Sequence, residues 1–466
     1  VSVLATATVL ALVLHDKAPL LAEGRGAAPR VASLWPGQVL EARRELRGFV
    51  EVWDHARARG GWVRATDVRR YAVAPESLPE LVAIVRFLRD TPGAEALGVG
   101  HAALALRVGE PGRVGPEMLA AIGAMADRLA RRASAAKVDE AVTAHVEVLA
   151  SYGVGLRSVP RREGRARLCT DGAAWRRVLE LGAAGEARLD AVLALTMPEC
   201  LDTTVEHARR VEARARVRLL DGLDPAGVPA HKVAAWQVRR AAAWAMLAFD
   251  RAREGQPAEA AEAAELAYTA LTRVDRAALA DEDAGAYADA AMAVGAVLGA
   301  RAAPRSAGPG GLELRAQAGG APGESCLALA RGATVLIQRC TYGQPWMGTV
   351  TVAPEGRALA LAVSPLPGWQ ELWLFRPVDG QWGVDVVTPS AGAPELGYVE
   401  AAGWSADGGK LLMAREARVG RQHVARFAVL SVSSLAVEVE GERPEAVRAF
   451  ARGASPSWRA ETVALR

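Results

Sequence analysis

Val31-Ala-Ser-Leu-Trp-Pro-Gly-Gln-Val-Leu-Glu-Ala-Arg43, with Gly48-Phe-Val-Glu-Val-Trp-Asp54 and Gly61-Trp-Val-Arg-Ala65 after it, is the stretch that decides how this chain begins to fold. Apolar residues recur at every second place in short runs, cut by Pro36-Gly37 and by Gly60-Gly61. That is the pattern of half-buried antiparallel strands separated by turns. Residues 9 to 14 supply an earlier strand, and the β pattern runs to about Tyr71, where Pro75 and Pro79 change the rhythm.

A chain of 466 residues exceeds one hydrophobic core and implies roughly three domains. The net charge of +3 excludes the concentrated basic surface of a nucleic-acid binder. Lys17, Lys137, Lys232 and Lys410 are the only lysines among many arginines, which reads as genome composition rather than phosphate recognition. The longest apolar run, Val3 to Leu14, is well short of the ~20 residues of a membrane span. Val1 to Ala7 resembles the tail of an export signal, so cleavage during export and a periplasmic or extracellular location are expected.

Beyond Leu78 the apolar spacing becomes helical, at Leu81, Val82, Val85 and Leu88, and Thr91-Pro92-Gly93 ends that helix. A second helix is expected over Glu95 to Val108, then a loop over Gly109 to Gly115. Pro116 suits the first turn of a helix running towards Arg132. A helix over Lys137 to Tyr152 follows, and a small β-hairpin near 155–169 turns about Glu163-Gly164. Asp171 to Leu181, Gly185 to Leu195, Thr203 to Leu220, Ala230 to Glu254, Pro257 to Val274 and Asp281 to Arg301 continue as helices. Pro304 to Gly323, rich in Gly, Pro and Ala, reads as a linker, and the remainder reads as β.

The four cysteines lack C-x-x-C spacing and a nearby histidine pair, so pairing within domains is the better use of them. Cys326 and Cys340 fall opposite each other when the segment folds about Ala333, and Cys169 and Cys200 flank two helices. Two intramolecular disulfides are therefore expected, which points to an oxidising compartment.

Three resemblances refine this reading. Residues 1–72 resemble a bacterial SH3-type (SH3b) domain, which implies a small β-barrel that binds peptidoglycan or docks proteins. Ala243 to Ala264 resembles one tetratricopeptide-like (TPR-like) hairpin, without a second copy at a fixed period. Val352 to Ala362, Gly403 to Ala414 and Ala454 to Leu465 resemble the inner strand and turn of TolB/WD40-like propeller blades, spaced roughly fifty residues apart. The middle copy carries Trp404-Ser-Ala-Asp-Gly-Gly-Lys410, Glu355 stands for Asp in the first, and the third lacks Asp-Gly. The expected fold is thus multidomain α+β: an SH3-like barrel (1–72), an irregular helical domain with a β-hairpin (73–303), a linker (304–323) and an antiparallel blade-like β domain (324–466), which another chain could complete.

No chemistry-bearing motif accompanies these modules. The histidines at 15, 55, 101, 145, 207, 231 and 423 have no metal-ligand spacing, and G-x-S-x-G, P-loop and Rossmann glycine patterns do not occur; Gly98-Val-Gly100 lacks a third glycine. His207 reads as a solvated helix residue, and Asp281, Glu282 and Asp283 read as helix N-terminal charges. Trp346, Trp369, Trp373 and Trp382 read as core of the β domain. No catalytic residue, cofactor or metal ligand is predicted. Trp35, Trp53, Asp54, Arg57, Arg59 and Trp62 are instead expected to form a shallow groove on the barrel for a peptide or glycan. The expected function is a non-enzymatic exported scaffold of the bacterial envelope that docks partner proteins or copies of itself, with no membrane span and no nucleic acid. The alternatives are a peptidoglycan-binding accessory protein and, third, a hydrolase with an unrecognised site in the helical domain.

Overall fold

The computed structural model describes residues 8–135, 138–160, 166–202, 204–305, 307–392, 394–420 and 422–461. The proposed leader remnant Val1 to Ala7, the hairpin turn at Glu163-Gly164 and the last residues of the third blade-like copy lie outside them. The fold is α+β with several antiparallel sheets. It divides into two compact units, Val1–Arg209 with Gly222–Val228, and Arg210–Asp221 with Pro229–Arg466. Within the first unit the first sheet and the helices after it share one core.

The first unit opens with seven strands: β1 (Val9–Val13), β2 (Ala18–Leu21), β3 (Arg30–Leu34), β4 (Val39–Leu46), β5 (Phe49–Asp54), β6 (Arg59–Arg64) and β7 (Val68–Ala72). They pair antiparallel in the order β3-β2-β6-β5-β4-β1-β7, so β3 and β7 end the path and no closed barrel forms among the described residues. Strand β1 is buried on both faces because its alternate residues serve two cores. Ala11 and Val13 pack inside the curved sheet with Leu20, Leu34, Val50, Val52 and Val63. Leu10 and Leu12, with Tyr71, pack against helices.

Those helices are α1 (Leu78–Arg89), α2 (Glu95–Val108), α3 (Pro111–Ala133) and α4 (Glu140–Ser151). Their buried face includes Leu81, Val85, Val99, Met118, Met125, Leu129 and Leu149. α3 starts inside the expected loop: Pro111, not Pro116, occupies its first turn, where a missing N–H costs nothing. Next come the hairpin strands β8 (Leu156–Pro160) and β9 (Ala166–Thr170), then α5 (Ala173–Glu180) and α6 (Gly185–Leu195). The disulfide Cys169–Cys200 closes this region as expected.

The glycines of the sheet do different work from that expected. The hairpin turn between β5 and β6 is His55 to Ala58, whereas Gly60 and Gly61 lie within β6. A Cβ on Gly60 would stand 2.8 Å from the Trp53 ring, and one on Gly61 would stand 2.8 Å from Leu20. Gly37 does sit in a turn, with φ +85, and a Cβ there would fall 2.0 Å from the Ala96 carbonyl oxygen. Gly100 lies against it, since its Cβ would come 2.7 Å from Gly37 Cα. The Gly98-Val-Gly100 pair therefore lets α2 approach the Pro36-Gly37 turn. Gly100→Ala is expected to cost about 1–3 kcal/mol by forcing these backbones apart, measured as a lowered denaturation midpoint. An unchanged midpoint would disprove the close-approach role.

The second unit holds most of α7 (Glu206–Asp221), with α8 (Ala230–Arg253), α9 (Pro257–Thr272) and α10 (Ala284–Gly295). α8 and α9 pack along their alanine-rich faces, through Ala241, Ala245 and Ala248 against Ala263, Ala264 and Ala267, as small side chains allow. Residues 281–283 form a short 3-10 turn before α10, as the acidic cluster suggested.

The expected linker is corrected: Leu312–Ala318 is strand β10, buried at Leu312 and Leu314. Its Leu-Glu-Leu-Arg alternation was masked by the surrounding glycines and prolines. It pairs with β11 (Ser325–Arg331), which pairs with β12 (Thr334–Thr341). Cys326 and Cys340 stand directly opposite in that hairpin and are disulfide-bonded.

β13 (Gln344–Pro345), β14 (Thr351–Val352), β15 (Leu359–Leu366), β16 (Trp369–Val378) and β17 (Gln381–Val387) form one antiparallel set. β18 (Gly397–Trp404), β19 (Lys410–Val419), β20 (Gln422–Ser431) and β21 (Val437–Gly441) form another. A short parallel pairing of β16 with β18 joins them. The turns that lead into β15 and β19 share one hydrogen bond, Ala353 N–H to Ala358 C=O and Ser405 N–H to Lys410 C=O, both at 2.9 Å. The third copy is corrected. Its described part, 454–461, is helical as α12 (Pro456–Glu461), which follows α11 (Arg448–Gly453) and is begun by Pro456 and by Ser455 Oγ accepting the Trp458 N–H at 3.2 Å.

Candidate functional site

Strands β4, β5 and β6 decide where the expected groove residues point. Trp53 pairs with Gly60 and Glu51 pairs with Trp62, so Phe49, Glu51, Trp53 and Trp62 share the outer face, while Val50, Val52 and Asp54 point inward. A bulge in β4 leaves one extra residue between Ala42 and Arg44. Such an insertion re-aims side chains. Here the consecutive Arg43 and Arg44 both reach the outer face, their guanidinium carbons 4.9 Å and 5.2 Å from the centres of the Trp53 and Trp62 rings.

Carboxylates hold these cations in place. Arg44 donates to Glu51 at 2.6 Å, Arg43 to Glu41 at 3.3 Å, and His55 meets Glu41 at 2.6 Å. The hydrogen bond from His55, aided by Arg43, holds the Glu41 carboxyl below its ordinary range. Trp62 is buried beneath this layer with Leu21 and Ala28, and Trp53 is half-buried. The result is an array of fixed charges on an aromatic base.

The remaining groove residues do not join it. Asp54 is buried and ties down its own turn through Arg59 at 3.2 Å and Arg57 at 3.6 Å. Trp35 belongs to another cluster, with Lys17 5.9 Å above its ring and His145 edge-on at 6.3 Å. His145 in turn meets Asp16 at 3.0 Å. The six residues thus divide among two faces and a turn. Adjacent residues on a strand point oppositely, and that alternation separates Trp53 from Asp54.

Sequence reasoning missed a cavity of about 350 Å³ in the helical part of the same unit. It lies among α2, α3, α5 and the Tyr152-Gly153-Val154 segment. Trp175 forms one wall, packed so closely on α3 that a Cβ on Gly123 would stand 2.5 Å from the ring. Buried Asp127 accepts the Trp175 Nε1–H at 2.8 Å and the Thr170 hydroxyl at 2.7 Å. Burial raises the Asp127 pKa despite both bonds. Asp127 in a helical apolar run was the one sequence signal.

Elsewhere, Trp346, Trp369 and Trp373 are core residues, Trp382 is half-buried, and His207 is exposed. Among the described residues one group, Glu324, Cys326 and Cys340, has ligand atoms close enough for a metal, but the disulfide removes both thiolates. No described helix is long and apolar enough to cross a membrane. No protein-family model, curated protein or solved structure matches this chain.

Proposed function

We propose that this chain is a non-enzymatic exported docking protein of the bacterial envelope, whose N-terminal sheet is an SH3-type interaction module. The arginine-capped Trp53–Trp62 face carries the reading: it pairs rigid aromatic area with fixed, partly exposed charge, the composition favoured at protein interfaces. Export is supported by the two disulfides. The two antiparallel meanders of the second unit fit blade-like sheets, and the α8–α9 pair fits a tetratricopeptide-like hairpin; both are further binding architectures.

Titratable groups shifted from their ordinary range are a mark of catalytic sites. Here they have internal partners. Burial lowers the His101 pKa; its Nδ1–H donates to the Leu97 carbonyl at 2.9 Å, leaving Nε2 to accept from Tyr71 at 3.2 Å. Glu95 is enclosed by arginines and Asp127 by Trp175 and Thr170. Such groups serve packing rather than turnover.

The reading predicts that Arg43→Glu with Arg44→Glu abolishes capture of envelope proteins, or self-association seen by light scattering, while the melting temperature moves little. A strictly monomeric wild type that captures no envelope partner would refute it. Sedimentation with purified cell wall, lost in the same variant, would mark peptidoglycan as the ligand instead.

A further inference from the structure

The cavity beside Trp175 is built rather than left over. A helical core without a ligand closes gaps with larger side chains, because unfilled space forfeits dispersion contacts. Here the walls keep small residues at Ala103, Gly123, Ala126 and Ala174. The Trp175 ring that could swing into the space is held back by the Asp127 hydrogen bond. Placing an acid in the interior for this purpose is costly unless its bonds are made, and both of its oxygens have partners. The floor, with Gly123, Ala126 and Trp175, is buried, and Gly153, Asp171, Ala173 and Arg177 at the mouth are exposed.

The lining also sets the ligand's charge. Each polar side chain there already has a partner: Tyr152 donates to the Gly37 carbonyl, Thr170 and Trp175 to Asp127, Arg177 to Glu180 at 2.9 Å, and Asp171 accepts the Ala173 N–H at 2.9 Å. Below the mouth, where Tyr152, Thr170 and Trp175 line the space, no side chain carries a charge or an unused donor for an ionised ligand, whereas apolar walls offer dispersion. We propose that this cavity binds a small neutral, largely apolar molecule, with a flat or short aliphatic body against Trp175. The volume is at the lower end for small-molecule sites, which start at about 300 Å³.

The test uses the full chain labelled with 5-fluorotryptophan, with the Trp175 resonance assigned through Trp175→Phe, titrated with indole, 1-hexanol and hexanoate. The Trp175 resonance should move saturably with indole and with hexanol, with a dissociation constant of about 1 mM or tighter. Hexanoate should bind at least about tenfold more weakly than hexanol, because its carboxylate would be desolvated without a partner. Ala174→Phe fills the space and should weaken indole binding by about tenfold or more; Ala103→Leu, a smaller change, should weaken it in the same direction and serves where the first variant fails to fold. A wild-type Trp175 resonance that never moves up to the solubility of both neutral probes overturns the proposal. Hexanoate binding as tightly as hexanol, or a folded filled variant binding as tightly as wild type, overturns it equally.

Discussion

Arg128→Met is expected to lower stability by about 3–5 kcal/mol, the cost of removing one partner of a buried charge. Glu95 is fully buried, and it accepts from Arg128 Nε at 2.7 Å, from Arg132 at 2.6 Å and from the Gly93 N–H at 3.2 Å. Arg128 also donates to the carbonyls of Leu88, Arg89 and Thr91, closing the C-terminal end of α1. Removing it strips one charge partner and a helix cap together. Arg132→Met should cost less, because that side chain is 37% exposed, against 19% for Arg128. In a double variant with Glu95→Met the loss should fall short of the sum, since no orphan carboxylate remains. Denaturant unfolding decides this, and a loss under about 1 kcal/mol would show that Glu95 is reached by water.

The same cluster fixes a pH dependence. Burial pushes the Glu95 pKa up, but the Arg128 bond, the backbone N–H groups and Arg132 together bring it below the ordinary value of 4.5. A carboxylate depressed on folding stabilises above its unfolded pKa, and that contribution disappears as pH falls through the folded value. In Arg128→Met the burial effect regains weight and the folded pKa rises. Once it passes the unfolded value the sign reverses, and the variant's deficit relative to wild type should shrink as pH falls towards 4.5 and below. A deficit independent of pH would mean that the helix cap, and not the charge, accounts for the loss.

The second large effect is expected at Cys169–Cys200, where Cys169→Ser with Cys200→Ser should cost roughly 3–4 kcal/mol in the chain-entropy model. The bridge joins β9 to the turn at Pro198–Cys200 across 31 residues and encloses α5 and α6. Cys326–Cys340 spans only 14 residues, within a hairpin whose turn already brings the strands together. Its removal should cost slightly less by loop length. Thermal melts with and without reductant separate the two: the wild type should fall by the larger amount, and the first variant should retain only the smaller response. Equal free-thiol counts in both conditions would refute both bridges.

Local pattern made much of the fold legible. The alternation around Val39–Asp54, the helical spacing of Leu81, Val85 and Leu88, and the symmetry of Cys326 and Cys340 about Ala333 all reflect neighbours in the chain. Glycine was read as turn at Gly60-Gly61, where it makes room for Trp53 and Leu20; Pro-Gly density hid β10; and a Trp-containing segment near the end was read as strand although Ser455 and Pro456 start a helix. In the first two cases a residue's meaning depended on a neighbouring strand, whereas the third had a local signal in Ser455 and Pro456.

For the candidate sites the division is sharper. Sequence by itself placed Trp53 and Trp62 on the N-terminal sheet, paired the four cysteines, and made Gly37 a turn. Only the tertiary structure decided that a bulge turns Arg43 and Arg44 onto those tryptophans and that Asp54 faces inward. It likewise decided that Asp127 holds Trp175 at the edge of a cavity. Backbone periodicity is a local property, written in each few residues. The empty space between helices, and the partners of a buried charge, belong to residues far apart in the chain, and no single stretch encodes them.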